Sequence, residues 1–260
     1  MKKVLALALV LVFALGMFAG CGSKTEPTSA SDLEYVKGKG ALIVGITDFA
    51  PMDYRDDNGE WTGFDAEFAR AFAEKIGVKA EFIEIEWDSK LEELNAKSID
   101  CIWNGMTITD ELRAGTSVSD AYVRNAQVVV MANDKLAQYA DVDSLAGLQF
   151  AVEAGSAGAS AAKDNGLTAV EVNAQADALM EVASGSADAC IIDLTMANAM
   201  TGEGTSYADL GYSIELSPEE YGVSFRSGSD ITAEFNKVMQ ELRDDGTLQN
   251  LADKYQLTLA

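Results

Sequence analysis

Between residues 99 and 115 the chain turns abruptly from apolar to polar. The run Ile99–Trp103 gives way to an amide and a glycine, Asn104 and Gly105, then to Met106 and the hydroxyls Thr107 and Thr109. A helix is predicted from about Asp110, with one basic residue, Arg113, in it. Small and polar groups at a strand's end either make a plain strand-to-helix turn or face a ligand, and in open α/β sheets ligands bind beyond the carboxyl ends of the strands. Similar groups follow other predicted strands. Phe49 follows Ala41–Ile46 and Trp87 follows residues 82–85; each either joins the core or flanks a ligand. Gly155-Ser156-Ala157-Gly158 follows residues 148–154, with Glu153 just before it. There Ser156 caps a helix, or the free amides of the turn meet an anion. Asp193 ends the buried-type run 189–192, where an unpaired carboxylate is costly. It either caps the helix from Leu194 or binds a cation. Together these groups suit a small polar solute with an apolar or flat part.

The elements that must position them follow from periodicity. Residues 41–46 and 148–154 read as first strands, and 82–85 and 169–172 as second strands. Between the first pair, Phe64, Phe68, Phe72 and Ile76 recur every four residues, and Gly77 follows as a stop. Residues 91–103 align without gaps on 179–191, matching Leu91 to Leu179, Leu94 to Val182, Ser98 to Ser186 and Asp100 to Asp188. Each copy is a helix end, a polar turn and a buried strand, so strand–helix–strand–helix–strand occurs twice and implies two α/β lobes. Strands at 125–133 and 221–226 bracket the second lobe and suggest that the chain crosses between lobes twice. The expected division is lobe 1 over 35–124 plus 222–260, lobe 2 over 127–217, and a hinge at 122–126 and 217–221. Ile231, Phe235, Val238, Met239 and Leu242 make one stripe of a closing helix that packs on lobe 1. Asn58-Gly59, between Tyr54 and Trp61, predicts a hairpin turn.

Composition bounds the rest. Lys2 and Lys3 precede an almost entirely apolar run to residue 20, the pattern of an export signal. That run is somewhat short for a membrane span, which needs about 20 apolar residues. The segment Phe18-Ala19-Gly20-Cys21 resembles the bacterial lipoprotein box, which implies cleavage before Cys21 and lipid on its thiol. Residues 21–34 are small and polar and read as a lipid-anchored flexible linker. The formal net charge of −23 makes nucleic-acid binding very unfavourable. With no histidine, the commonest general base and metal ligand is missing. Residues 56–60 lack the acid spacing of a calcium loop, so no metal site and no cofactor are expected. Cys101 and Cys190, each within an apolar run, are expected to be buried free thiols.

Several stretches resemble the extracytoplasmic solute-binding proteins that feed polar amino acids to ABC importers. They are residues 48–78, residues 87–111, the Ser-Asp-Ala-Tyr at 119–122, the run 185–197, residues 220–225 and residues 244–255. The resemblance implies a two-lobed, type II periplasmic-binding-protein-like α/β fold, each lobe a mixed, mostly parallel sheet flanked by helices, with two crossover segments. It also implies a monomer that docks on an ABC permease and ATPase. By the same resemblance Phe49 and Trp87 would flank the ligand, and Gly105 and Thr107 would help hold an α-ammonium. Asp193 would pair with that ammonium from the other lobe, and amides near Ser156 and Ala157 would meet the α-carboxylate. The family commonly places an Arg where this chain has Leu112, with Arg113 one residue later. One helical residue turns a side chain by about 100°. Three outcomes stay open: a rotated helix brings Arg113 in, amides and hydroxyls alone hold a carboxylate, or the ligand lacks an ordinary α-carboxylate. Glu153 hints at a ligand with positive or neutral decoration. A solute sensor for a signalling partner and a dehydratase-type enzyme are the alternatives to a transport receptor.

Overall fold

The computed structural model describes residues 31–260. The export segment expected at 1–20 and the lipid site expected at Cys21 lie outside those residues. In chain order the elements are α1 (Asp32–Lys39), β1 (Ala41–Ile46), β2 (Tyr54–Arg55), β3 (Trp61–Thr62), α2 (Phe64–Ile76), β4 (Lys79–Glu84), α3 (Lys90–Asn95), β5 (Cys101–Thr107), α4 (Asp110–Gly115) and β6 (Ser117–Val118). They continue as β7 (Val123–Ala132), β8 (Gln149–Glu153), α5 (Ala157–Asp164), β9 (Thr168–Val172), α6 (Gln175–Ser184), β10 (Ala189–Asp193), α7 (Leu194–Met200), β11 (Leu210–Phe225), α8 (Ile231–Asp244) and α9 (Thr247–Tyr255). A 3₁₀ turn at Trp87–Ser89 leads into α3.

Two parallel triplets form the ends of the sheet. β1 lies between β4 and β5, and β8 lies between β9 and β10. Two antiparallel strands join them, giving the order β4-β1-β5-β11-β7-β10-β8-β9, with β6 on β11. β11 bonds β5 through residues 221–225, and β7 bonds β10 through residues 127–131. Between those stretches β7 and β11 pair with each other, from Val123↔Tyr221 to Ala132↔Leu210. Each triplet with its helices is therefore one lobe. The second crossing strand begins at Leu210 rather than at the expected Tyr221. Register shifts between Tyr212 and Ile214 and between Glu215 and Ser217 break its alternation, which hides the earlier part of the strand from a period-2 reading.

Alternation fixes which face each strand presents. On β7, Val128 and Val130 join one apolar cluster while Val129 and Met131 join another; on β10, Cys190 and Ile192 separate from Ala189 and Ile191 in the same way. Cys101 and Cys190 are buried free thiols on different strands. In lobe 1 the phenylalanine stripe of α2 is wholly buried at Phe64, Phe68 and Phe72. α8 and α9 pack on α2, as the stripe on α8 implies. Phe235 from α8 meets Trp103, Phe72, Phe68 and Phe225 with ring centroids 5.0, 5.2, 5.5 and 5.7 Å away. The internal echo is real: α3 leads into β5 as α6 leads into β10.

One boundary differs from expectation. Residues 31–34 belong to the folded body and not to a linker. Ser31 Oγ accepts from the Glu34 amide (3.0 Å), and Asp32 pairs with Arg226 (3.0 Å). An N-cap serine followed by acids in the first turn is a favourable helix start. Val36, fully buried, then ties α1 to the core. Among the described residues no helix is long and apolar enough to cross a membrane.

Phe235→Ala is expected to lower unfolding stability by about 3–5 kcal/mol, the cost of emptying a large aromatic site. Urea unfolding followed by tryptophan fluorescence checks it. A loss below about 1 kcal/mol would mean that α8 is not part of the lobe 1 core.

Candidate functional site

A cavity of about 590 Å³ lies where β5, β8 and β10 end, with both lobes contributing walls. Lobe 1 supplies Trp87, Lys90, Asn104, Gly105, Met106, Thr107 and Leu112. Lobe 2 supplies Glu153, Ser156, Ala157, Gln175 and Asp193, and the crossing strand β11 adds Ser217 and Glu219. That volume suits a small organic solute.

The cavity's densest polar network surrounds Asp193, which is only 4% exposed. It occupies the N-cap position of α7, yet its side chain makes no capping bond. Its Oδ1 accepts instead from Tyr221 (2.6 Å) and from the Asn125 amide, and its Oδ2 accepts from Gln175 Nε2. The Asn125 amide also donates to Glu219 Oε1 (2.6 Å), which receives Gln127 Nε2 (2.8 Å) and Thr107 Oγ1 (2.9 Å) as well. Two carboxylates thus share one amide, and among the described residues neither forms a salt bridge. Burial first, and then the charge of Glu219, hold the Asp193 carboxyl well above the usual carboxylate range, against the bonds from Tyr221 and Gln175. A ligand ammonium placed there relieves both penalties.

On the neighbouring strand, Glu153 is 2% exposed and its Oε1 has no partner. Burial pushes this carboxyl up to about 8, the nearby Thr47 hydroxyl and Lys90 charge drawing it partway back. Lys90 reaches from lobe 1 to the Gly155 carbonyl (2.9 Å) and also bonds the Trp87 carbonyl (3.0 Å). Burial lowers its own proton affinity, while Glu153 and Asp88 act in the other direction. A Cβ on Gly155 would lie 2.8 Å from an Asp88 carboxylate oxygen, so only glycine lets the lobes approach this closely here. Next along the chain, Ser156 caps α5 by accepting from the Ala159 amide (3.0 Å), which keeps the helix N-terminus at the cavity wall beside Ala157.

The lobe 1 wall is held from behind. Asp65, fully buried in α2, accepts from the Gly105 amide (2.6 Å) and the Tyr122 hydroxyl (2.8 Å). Burial raises its carboxyl to about 7. Gly105 sits at φ +55°, and a Cβ there would lie 2.5 Å from the Phe49 ring. Phe49 is therefore a packing residue under Gly105 and edge-on to Tyr221, and it does not line the cavity as expected. Trp87 does line it, while also joining the apolar cluster of Met106 and Leu112. Asn104 donates to Thr47 (2.7 Å) and leaves its own Oδ1 unpartnered.

The choice between Leu112 and Arg113 has a plain outcome. Leu112 is 6% exposed and lines the cavity, whereas Arg113 is exposed and lies outside it. The Leu112 amide is bonded by the N-cap Thr109 (3.2 Å), which fixes α4 in this rotation. Sequence reasoning missed Glu219, Asn125, Gln175, Tyr221 and Lys90. The only sequence signal was the acid pair Glu219-Glu220 just ahead of a buried strand segment.

These buried acids set the sign of a pH dependence. Glu153, with an ordinary value of 4.5, holds its proton to about 8 in the fold, and Asp65, ordinarily at 3.8, to about 7. The folded state binds protons more tightly than the unfolded chain, so their contribution is full at low pH and is lost as pH rises through the folded values. The thermal midpoint of the ligand-free protein is expected to fall between about pH 4.5 and about pH 8, and Glu153→Gln to flatten the upper part of that fall. A midpoint that climbs over this range would show these acids ionised in the fold.

Comparison with known proteins agrees with this architecture. Residues 42–258 match the family described as bacterial extracellular solute-binding proteins, family 3. The arginine-binding extracellular protein ArtP of Bacillus subtilis (strain 168) is 31% identical over 266 aligned residues, covering 98% of each chain. A variant of ArgBP from T. maritima superposes with a TM-score of 0.80 at 32% identity, over 86% of this chain and 98% of the other. An ancestral amino acid-binding protein, a precursor of cyclohexadienyl dehydratase, superposes with a TM-score of 0.79 at 29% identity, over 86% of this chain and 99% of the other. Two lobes, a double crossing and a cavity between the strand ends are thus the frame of a shared fold, and the chain belongs to the bacterial extracellular solute-binding proteins of family 3.

Proposed function

We propose that this protein captures a small amino acid or related amine-bearing solute outside the cytoplasmic membrane and delivers it to an ABC importer. The observation that carries this reading is the Asp193–Glu219 pair: two carboxylates, bridged by Asn125, that line a solute-sized cavity without a counter-cation. An ammonium group supplies the missing charge. Trp87, Met106 and Leu112 give the rest of the solute an apolar surface. The α5 N-terminus at Ser156 and Ala157 offers amides to a ligand carboxylate without help from Arg113. Arginine, in the names of ArtP and ArgBP, is a solute of this class.

Delivery requires that occupancy be visible from outside. The segments 122–126 and 217–221 serve as the hinge, because β7 and β11 pair there and both lobes hang on them. The Lys90–Gly155 bond (2.9 Å) already spans the cleft and is a contact that opening would break, and the closed form of a monomer docks on the permease. The leader at 1–20 directs export and is cleaved before Cys21, and lipid on Cys21 then holds the protein at the outer face of the membrane, with the linker ending before Ser31.

Asp193→Asn is expected to weaken ligand binding by about 2–5 kcal/mol, the range for truncating one side of a desolvated charge pair. Calorimetric titration with the ligand found in a thermal-shift screen of amino acids and amines measures it. Unchanged affinity would take Asp193 out of the site. Cys21→Ser is expected to move the protein from the membrane fraction to the soluble extract. Continued membrane association of that variant would mean an uncleaved apolar anchor instead of a lipid.

A further inference from the structure

Away from the crossing strands, the lobes meet where the 3₁₀ turn Trp87–Ser89 faces the turn after β8. Lys90, the first residue of α3, donates there to two carbonyls. One is Trp87 of its own lobe (3.0 Å) and the other is Gly155 of the opposite lobe (2.9 Å). The ammonium also stands 4.9 Å from the centre of the Trp87 ring, within reach of a cation–π contact. Burial opposes its charge, and Glu153, Asp88, Glu111 and Glu92 sustain it.

The main chains come as close as the side chains. Gly155 sits at φ +66°, and a Cβ there would lie 2.8 Å from an Asp88 carboxylate oxygen and 2.9 Å from the Asp88 Cα. The oxygen can swing away, but the Cα is backbone of lobe 1. Only glycine at 155 therefore allows this approach. Lobes also face each other across a second space, lined by Asp48, Glu84, Glu86 and Glu93 from lobe 1 and Asp177 from lobe 2. No basic residue lines it, so its carboxylates do not draw the lobes together. The attraction is concentrated at Lys90.

We infer that Lys90 is the latch of the cleft: its ammonium, shared between the Trp87 and Gly155 carbonyls, holds the lobes together and sets how long a captured solute stays. This latch rests on the receptor reading above and adds how that site is kept shut. Trp87 and Gly155 both line the cavity, so the two carbonyls belong to opposite walls around the solute. Opening must break the ammonium–carbonyl bond before the solute leaves. Loss of the latch therefore speeds release, while encounter with the open form is little changed. Lys90 is a positioning residue in this role.

Lys90→Met, Gly155→Ala and their combination test this in the full chain. Small-angle X-ray scattering reads closure, and stopped-flow binding of L-arginine and L-glutamine reads the rates. Lys90→Met keeps an apolar stem against Trp87 and removes the donor. Its radius of gyration is expected to exceed that of wild type. Release of whichever probe binds should be about threefold or more faster, with the association rate within about twofold. Gly155→Ala should shift both readouts the same way, and the combination should add little, because each variant breaks one shared contact. Release accelerated less than about threefold in Lys90→Met, at an unchanged radius, would overturn the latch and leave the receptor reading standing. So would fully additive effects of the two substitutions on release. If Gly155→Ala does not fold, Lys90→Met decides alone. Failure of both probes to bind wild type would count against the receptor reading. The ligand-free radii then decide the latch, and equal values in wild type and Lys90→Met would overturn it.

Discussion

Asp193, which is buried, and Glu219, which is half-buried, stand close enough to accept hydrogen bonds from the same Asn125 amide. Like charges this close oppose one another, and burial opposes the charge of Asp193 as well. Neutral donors reduce the cost without cancelling it. Tyr221, Gln175, Gln127 and Thr107 all donate into the pair, yet none brings a positive charge. The fold holds this arrangement because the donors come from rigid elements: Asn125 and Gln127 from β7, Tyr221 from β11, Gln175 from the first turn of α6. A positive charge placed beside the pair would lower that electrostatic load.

The same two strands that carry the donors also connect the lobes. Val123 and Asn125 on β7 lie opposite Tyr221 and Glu219 on β11, so the network sits on the crossing itself. Any movement of one lobe against the other would pass through the strands that carry this network. Behind it, the lobe 1 wall is tied into the core by a chain of contacts: Asp65 holds Gly105, Gly105 lies against Phe49, and Phe49 meets Tyr221. Packing of α2 is thereby coupled to the geometry of Asp193 through three side chains, Asp65, Phe49 and Tyr221, and the backbone of Gly105.

Much of this frame was legible in the sequence. The four-residue phenylalanine spacing of α2, the helix–strand echo and the clustering of polar residues after strands each follow from local periodicity, which the fold respects. What escaped was set by tertiary register. Glu219 lies in an acidic stretch of a long strand whose alternation is broken by bulges, so nothing local distinguishes it from the exposed Glu220. Phe49 follows a strand as a ligand contact would, but the positive φ of Gly105 clears a space that its ring fills. Leu112 and Arg113 could be separated only once the Thr109 cap had fixed the helix rotation. The start of the folded body moved from 35 to 31 because Asp32 finds Arg226, a partner 194 residues away.

Charge illustrates why burial matters more than count. The chain has 42 acidic residues against 19 basic ones, but most of that excess is solvated, and salt screens it beyond about 8–10 Å. Such a field excludes polyanions without choosing a solute. Asp193 and Glu153 differ because they are 4% and 2% exposed, and water cannot screen a ligand seated against them. A pair of perturbed acids in a cleft is also what an acid–base catalyst would show. Here both oxygens of Asp193 are engaged by donors on rigid elements, and Lys90 is bonded to two carbonyls, so neither group is free to swing towards a second reacting group. Groups tied in this way are held at fixed positions in the cavity wall.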